Sequence, residues 1–521
     1  MSRARKFTRS LISGYLLLGV NVVYTFASIP LALVYLSKKE LGLWGVVTQV
    51  AGYLVLIDLG MAGSISRILI DHKDSPQDGT YGSIIKTGAL VLVVQGAIIA
   101  IVGAIVCIWL PALFNVPEIY QHQFQILVAG HCGVLGLFFV GRMFNHVLQA
   151  HQRYDAMNYS QVGGLMLNIS VMWLSFRQGL GLYSLLAGYS ANILFTTVFT
   201  LVAAIRFELL PTGAGWGRTS AKTFHELFSY GREIFLLSVG WQLVNASQMI
   251  VIGRVLGFDA AGVWSIASKP FALAQQVVYR VLDYASAGFA EMMVRQEKER
   301  LLIRFRDIVT VSASLAIWIA LSTSLCNHDF LALWTKKRVS WGTSSDWLMG
   351  AMVITYSITR CYTGFIGLTK DIRLMKYVYV AEGLIFIGTS VLTARVWGLN
   401  GIMASAVFTD LICSGLYGFF RTKGYFSGPN IRSLLGWFRS PIEFLLSLAI
   451  VFATTAWATS DLSIPIRLGV RSAVALSVGM LLFWTLGIGP DLRMEVSRLF
   501  AKFSAALRDS LNRGSRRTML S

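Results

Sequence analysis

The stretch "LGLWGVVTQVAGYLVLIDLGMAGSISRILI", Leu41 to Ile70, is apolar over most of its length but carries Asp58 and Arg67. A carboxylate at the centre of a bilayer costs about 2.5–3.5 kcal/mol on insertion scales, so Asp58 sits there for a task. Read as one helix, the nine residues from Asp58 to Arg67 turn about 900° and place the two side chains on opposite faces. That spacing predicts no pair between them. Arg67 falls near an interface, where its stem can lie in apolar surroundings while the guanidinium reaches water. Asp58 lies deeper, and its expected role is to hold a donor on a neighbouring helix.

The same apolar character runs through the whole chain. Of 521 residues, 55% are hydrophobic and only 14% charged, with a mean hydropathy of +0.62. That leaves too little polar surface for a soluble protein of this length. The longest polar stretches, about 30 residues, are too short to bury a core of their own. The fold class predicted is therefore an all-α polytopic membrane protein with about fourteen transmembrane helices, each long enough to cross about 30 Å of hydrocarbon. Their expected positions are 11–36, 42–69, 85–111, 124–149, 159–177, 181–205, 231–256, 260–290, 308–333, 347–368, 375–397, 399–420, 441–459 and 466–488.

The net charge is +19. In a soluble chain this would suggest nucleic acid, but here the basic residues cluster in short loops, and no nucleic-acid partner is expected. Counting alternate sides puts about 32 Lys and Arg on one side of the membrane and about 10 on the other. The rule that the basic side is cytoplasmic places both termini inside. Arg3, Arg5, Lys6 and Arg9 lead into a first span too long for a signal peptide. Cys107, Cys132, Cys326, Cys361 and Cys413 are scattered singly without metal or disulfide spacing. No metal or cofactor is expected.

An internal repeat accompanies the spans. "LGLWGVV" at Leu41 has a counterpart in "AGVWSIA" at Ala261, so that Gly42, Trp44 and Leu36 match Gly262, Trp264 and Leu256 at an offset of 220. The repeat predicts a six-helix bundle over 1–220 and a second over 221–430, related by a pseudo-twofold along the membrane normal. Two additional helices over 431–490 and a basic amphipathic tail over 491–521 complete the layout. The tail's Leu492, Val496, Leu499, Phe503, Leu507 and Leu511 fall at helical spacing, as on a helix lying on an anionic leaflet.

Deep polar residues mark candidate function. Lys269 and Arg280 are eleven residues apart, close to three turns, with Gln276 between them and Asp283 beyond. With Ser265 they form one polar stripe, which predicts a wet cavity lining, and Pro270 is expected to bend the helix beside Lys269. Arg360 and Arg142 are further cationic candidates, and Arg360 is expected to pair with Glu382 or Asp410 if its role is structural. Asn21, Thr25 and Ser28 share a face of the first span, and Ser238, Gln242 and Asn245 one of the seventh. Lys269, Arg280, Arg360, Arg142 and Gln276 are thus the substrate-binding candidates. Asp58, Asn21, Gln242, Asn245, Asp283, Glu382 and Asp410 are the polar-lumen or coupling candidates. A cationic lumen suits an anion such as a phosphate or diphosphate. The sequence has no GK dipeptide of a P-loop, no D-x-D, no H-x-x-x-x-D and no HExxH. Transport is left, and no catalytic residue is assigned.

"LVYLSKKELGLWGVVTQV" followed by "YLVLIDLGMAGSISRIL" resembles the polysaccharide-transporter branch, the Wzx-type O-antigen flippases, of the multidrug/oligosaccharidyl-lipid/polysaccharide exporter (MOP) superfamily. The carriers of the resemblance are Leu41–Trp44 and Asp58–Gly60. It implies a flippase that moves an undecaprenyl-diphosphate-linked oligosaccharide across a bacterial inner membrane by alternating access. Its implied partners are that lipid-linked substrate, membrane lipid, a polysaccharide polymerase and a chain-length regulator. Alternatives are a lipid II flippase, a drug/cation antiporter of the same superfamily, and a membrane-embedded glycan polymerase or transferase. The first span carries no acid of the antiporter kind. No large outer loop of the polymerase kind is present.

Overall fold

The computed structural model describes residues 3–73, 79–369, 371, 373–426, 436–489, 492–494 and 497. In chain order the helices are α1 Arg3–Tyr35, α2 Lys38–Leu54, α3 Met61–His72, α4 Thr80–Val106, α5 Leu110–Leu113, α6 Glu118–Ala150, α7 Tyr154–Arg177, α8 Tyr183–Arg206, α9 Ala221–Asn245 and α10 Ser247–Val255. They continue with α11 Phe258–Ala267, α12 Lys269–Val294, α13 Lys298–Trp334, α14 Thr343–Leu368, α15 Met375–Trp397, α16 Leu399–Asp410, α17 Leu416–Tyr425, α18 Arg439–Ala458 and α19 Ile464–Leu482. The protein is an all-α polytopic membrane protein. Each predicted span is helical, and 11 helices among the described residues are long and apolar enough to cross a membrane on those criteria alone. The amphipathic tail lies outside the described residues, apart from 492–494 and 497.

Several spans depart from the single regular helices expected: the seventh divides at Ala246 into α9 and α10, and the twelfth and fourteenth each include a π turn, over Leu411–Gly415 and Phe483–Gly487. The second is α2, a 3-10 turn over Val55–Asp58, then α3. The break falls at Leu59 and Gly60, both left-handed with φ of 50° and 73°. A left-handed pair resets the helical phase, so the 900° count from Asp58 to Arg67 does not hold across it. Gly60 is required there twice over, because a Cβ would also overlap the Gly231 carbonyl oxygen on α9. The eighth span divides at Ser268 into α11 and α12, beside Pro270 as expected, since Pro270 offers no N–H to continue the ladder.

By packing, the chain forms two compact units whose boundaries differ from 220 and 430. The first comprises Met1–Lys269, Trp334–Trp341 and Arg373–Thr409; the second comprises Pro270–Leu333, Gly342–Ile372 and Asp410–Ser521. In the first, Val46 and Val47 of α2, Ile65 and Leu69 of α3, Leu92 and Ile99 of α4, and Leu127 and Phe139 of α6 are fully buried. Helices α4 and α6 meet at Gly96 and Gly136, where either Cβ would press on the other glycine's carbonyl. The second unit is built on Phe289, Phe305 and Phe365, whose rings meet edge-on or tilted. A further cluster there joins Ile317, Leu321 and Leu325 of α13 to Phe444, Leu448 and Phe452 of α18.

An ion cluster ties α19 into the second unit. Asp329 on α13 is 0% exposed. Both its oxygens accept from Arg467 Nε at 2.9 Å, and Arg471 Nη1 donates at 2.9 Å. Arg471 Nε also donates to Thr459 Oγ1 just past α18, at 3.0 Å. By sequence alone Arg467 and Arg471 are two of the about 10 basic residues counted on the less basic side of the membrane.

Candidate functional site

The repeated motif packs on itself. Helices α2 and α11 cross at Gly42 and Gly262, the two matched glycines. A Cβ at Gly42 would overlap the carbonyl oxygen of Phe258 and lie 2.8 Å from Gly262 N. A Cβ at Gly262 would overlap the carbonyl oxygen of Lys38. Phe258 and Lys38 are themselves 220 apart, so the two contacts are one contact repeated with the roles exchanged. Hydrogen at both positions lets the two backbones touch, which no side chain permits.

Against this crossing, within the first unit, lies a cavity of about 370 Å³. Matched positions supply its walls: Trp44 with Trp264, Gly45 with Ser265, Thr48 with Ser268, and Gln49 with Lys269. Tyr24, Thr25 and Ser28 of α1 line it as well. Lys269 is the one charged residue among the lining residues, and among the described residues no ion pair or hydrogen bond engages it. The hydroxyls of Thr25 and Ser28 bond back to the carbonyls of Asn21 and Thr25 at 2.8 and 3.4 Å. Trp44 stands edge-on to His131, with ring centroids 5.3 Å apart. The repeat pointed to Trp44 and Trp264; extending its offset to 48 and 49 was the signal for Thr48 and Gln49 that went unused.

The question raised by Asp58 has a geometric answer. Its carboxylate meets Arg142 of α6, with Nη1 to Oδ1 at 3.4 Å, and accepts the Ala62 N–H at 3.4 Å. The Asp58 carbonyl, freed by the helix break, accepts from Gln95 of α4 at 3.1 Å. Arg142 also lies over the Phe139 ring at 4.9 Å. One turn further along α6, His146 Nδ1 meets Ser66 Oγ at 2.7 Å. Arg142 is thus the cationic partner of Asp58. Asp58→Ala is expected to lower the melting temperature, because a partly buried guanidinium then loses its acceptor, a penalty of about 1–3 kcal/mol or more. Asp58→Asn with Arg142→Gln should recover much of that loss, measured by thermal unfolding of purified protein.

The remaining candidates fall elsewhere. On α12, Gln276, Arg280 and Asp283 share an exposed face, opposite buried Phe271, Ala274, Val278 and Leu282. They belong to the second unit, whereas Lys269 belongs to the first. Arg360 donates to Asp283 at 2.9 Å and covers the Tyr279 ring at 4.3 Å. The ion pair given to Arg360 is therefore with Asp283, not with Glu382 or Asp410. Spacing along one helix could not reveal a partner one helix away. Asp410 is buried at the end of α16, beside a π turn over Leu411–Gly415, and accepts from Thr359 Oγ1 at 2.8 Å. Glu382 is buried on α15. Asn245 donates to the Trp241 carbonyl at 2.9 Å, and Gln242 packs beside Gly52.

Residues 11–285 match the model of a family described as polysaccharide biosynthesis protein. A comparison with curated proteins finds no match. Among solved structures, the chain is similar to the lipid II flippase MurJ in an inward closed conformation, with a TM-score of 0.64, 13% identity, and coverage of 91% of this chain and 98% of that one. It is similar to an inward-facing multidrug resistance MATE family transporter of the MOP superfamily, with a TM-score of 0.65, 14% identity, and coverage of 77% and 94%. A MOP superfamily transporter from Pyrococcus furiosus Vc1 gives a TM-score of 0.58 at 14% identity, with coverage of 81% and 95%. The likeness shows a shared fold.

Proposed function

The chain belongs to the polysaccharide biosynthesis protein family, and from that premise we propose that it is a flippase rather than an enzyme. Its substrate in this reading is an undecaprenyl-diphosphate-linked oligosaccharide, an O-antigen, capsule or exopolysaccharide repeat unit. It carries this across a bacterial inner membrane, with both termini cytoplasmic, by alternating access between the repeat halves 1–220 and 221–430. A polysaccharide polymerase and a chain-length regulator act beside it.

The observation that carries this reading is Lys269, the one charged residue lining a cavity of about 370 Å³ whose other polar side chains are hydroxyls, the Gln49 amide and two indoles. An ammonium about 4 Å from a phosphate oxygen gains about 4 kcal/mol at an effective dielectric near 20. The same group repels a cationic drug. Gln49 supplies an amide donor for a phosphate oxygen. The hydroxyls of Thr48, Ser268 and Ser28, whose protons bond back to the carbonyls of Gly45, Trp264 and Thr25, supply acceptors for sugar hydroxyls, and the indoles of Trp44 and Trp264 supply apolar faces for a sugar ring. The volume suits a headgroup, with the lipid tail and the distal sugars outside it.

Deleting the gene is expected to abolish surface glycan and accumulate the lipid-linked intermediate. Lys269→Ala should restore less than about a tenth of export, the equivalent of one lost charge-assisted bond of about 1.5–3 kcal/mol. Lys269→Arg should restore most of it. Normal export by Lys269→Ala at wild-type protein levels rules out the cation's role. Arg280→Ala tests in the same assay whether the exposed face of α12 contributes.

A further inference from the structure

Pro30 stands inside α1. It has no N–H, so the Phe26 carbonyl four residues earlier loses its helical donor. A second carbonyl is stranded at the helix end. The Ser37 N–H, which would serve Leu33, donates instead to Glu40 Oε2 at 2.8 Å as part of the cap of α2. Both orphans find donors about 300 residues away in sequence. Trp334 Nε1 donates to the Phe26 carbonyl at 2.8 Å, and Arg338 Nη1 donates to the Leu33 carbonyl. The Trp334 ring also meets the Phe26 ring edge-on at 5.4 Å.

The segment that delivers these donors is shaped for the purpose. Trp334–Trp341 packs as part of the first unit, although the helices on either side of it belong to the second. Lys336 and Lys337 are both left-handed, with φ of 51° and 61°, a costly conformation for two successive residues with side chains. They turn the chain between Trp334 and Arg338 tightly, and Thr335 Oγ1 closes the turn by accepting the Val339 N–H at 3.2 Å. At the far end Trp341 packs edge-on against Trp264, a cavity wall, at 6.4 Å.

We propose that Trp334 and Arg338 are positioning residues for transport: they clasp the Pro30 break of α1 from outside and hold the arm that presents Tyr24, Thr25 and Ser28 to the cavity. The proposal rests on the transport reading above. It reaches the substrate only through α1, since neither residue lines the cavity.

The test uses the full-length protein in nanodiscs, with a spin label at Val34, beyond Pro30, or at Val23, before it; both positions are exposed. Trp334→Phe keeps the ring and removes the donor. It and Arg338→Ala should each raise label mobility at Val34 and at Val23, the two positions that flank the clasped segment carrying Tyr24, Thr25 and Ser28. Export should fall about five- to tenfold, the equivalent of one lost buried hydrogen bond. Pro30→Ala restores an N–H for Phe26, so in Trp334→Phe/Pro30→Ala the Val34 label should regain its rigidity while export stays low. Unchanged Val34 mobility in both single variants overturns the clasp, whatever export does. Export restored together with rigidity in the double variant reduces Trp334 to a structural cap and overturns its positioning role. The label reports on α1 without substrate, so a failed clasp is distinguishable from a failed transport reading, which would show as normal glycan in the gene deletion.

Discussion

Valine in place of Gly42 or Gly262 is expected to abolish export while leaving the protein folded in the membrane. The physical cause is the reciprocal contact between α2 and α11. A Cβ at either position overlaps a backbone carbonyl oxygen, which cannot move aside as a flexible side chain can. Overpacking of this kind costs about 1–3 kcal/mol, and at a backbone contact the upper end applies. If the tight crossing belongs to one of two alternating arrangements, about 3 kcal/mol against it shifts the balance by about 150-fold. The crossing adjoins the cavity, so the shift should appear as faster maleimide labelling of Thr48→Cys, and as lost surface glycan. One separation of the helices accommodates both side chains. The double variant should therefore cost clearly less than the sum of the two singles. Full additivity, or normal export in either single variant, would show that the crossing is not part of the transport cycle.

The second large effect concerns Asp329→Ala. It removes the only carboxylate among the described residues that binds Arg467 and Arg471, and it leaves two guanidiniums facing a site where the acid was 0% exposed. Breaking a buried ion cluster from one side costs about 3–5 kcal/mol. The expected readout is a marked fall in melting temperature and in the yield of folded protein. Replacing all three with leucine should recover most of the loss, because a well-packed apolar cluster of similar volume is often as stable as the ions it replaces. A melting temperature unchanged by Asp329→Ala would show the cluster to be energetically idle.

Much of this protein was legible without its tertiary structure. Apolar segments of spanning length settled that it is helical and membrane-embedded, because in hydrocarbon a helix satisfies its own backbone. The "LG-x-W" repeat singled out Gly42, Trp44, Gly262 and Trp264; that the glycines form a crossing and the tryptophans line a cavity came only from packing. The "DLG" element carried the family resemblance, and it now has a physical basis: Asp58 caps α3 and holds Arg142, while Leu59 and Gly60 break the helix.

Partners were another matter. Periodicity places residues on the faces of one helix; it put Ser265, Lys269, Gln276, Arg280 and Asp283 in one stripe, of which Gln276, Arg280 and Asp283 share an exposed face of α12 while the break at Ser268 separates Ser265 from them. It carries no information about what stands opposite, so Arg142, Arg360 and the Asp329 cluster were assigned only by contacts between helices. It also fails wherever the helix is interrupted, as at Gly60 and Ser268, since phase is lost at a break. Composition and spacing determined the elements and their burial in lipid, which depend on local free energies summed along the chain. Which charges are spent on one another, which cation is left facing the cavity, and which distant tryptophan serves a proline's orphan carbonyl were decided by tertiary packing alone, because those free energies exist only between segments far apart in sequence.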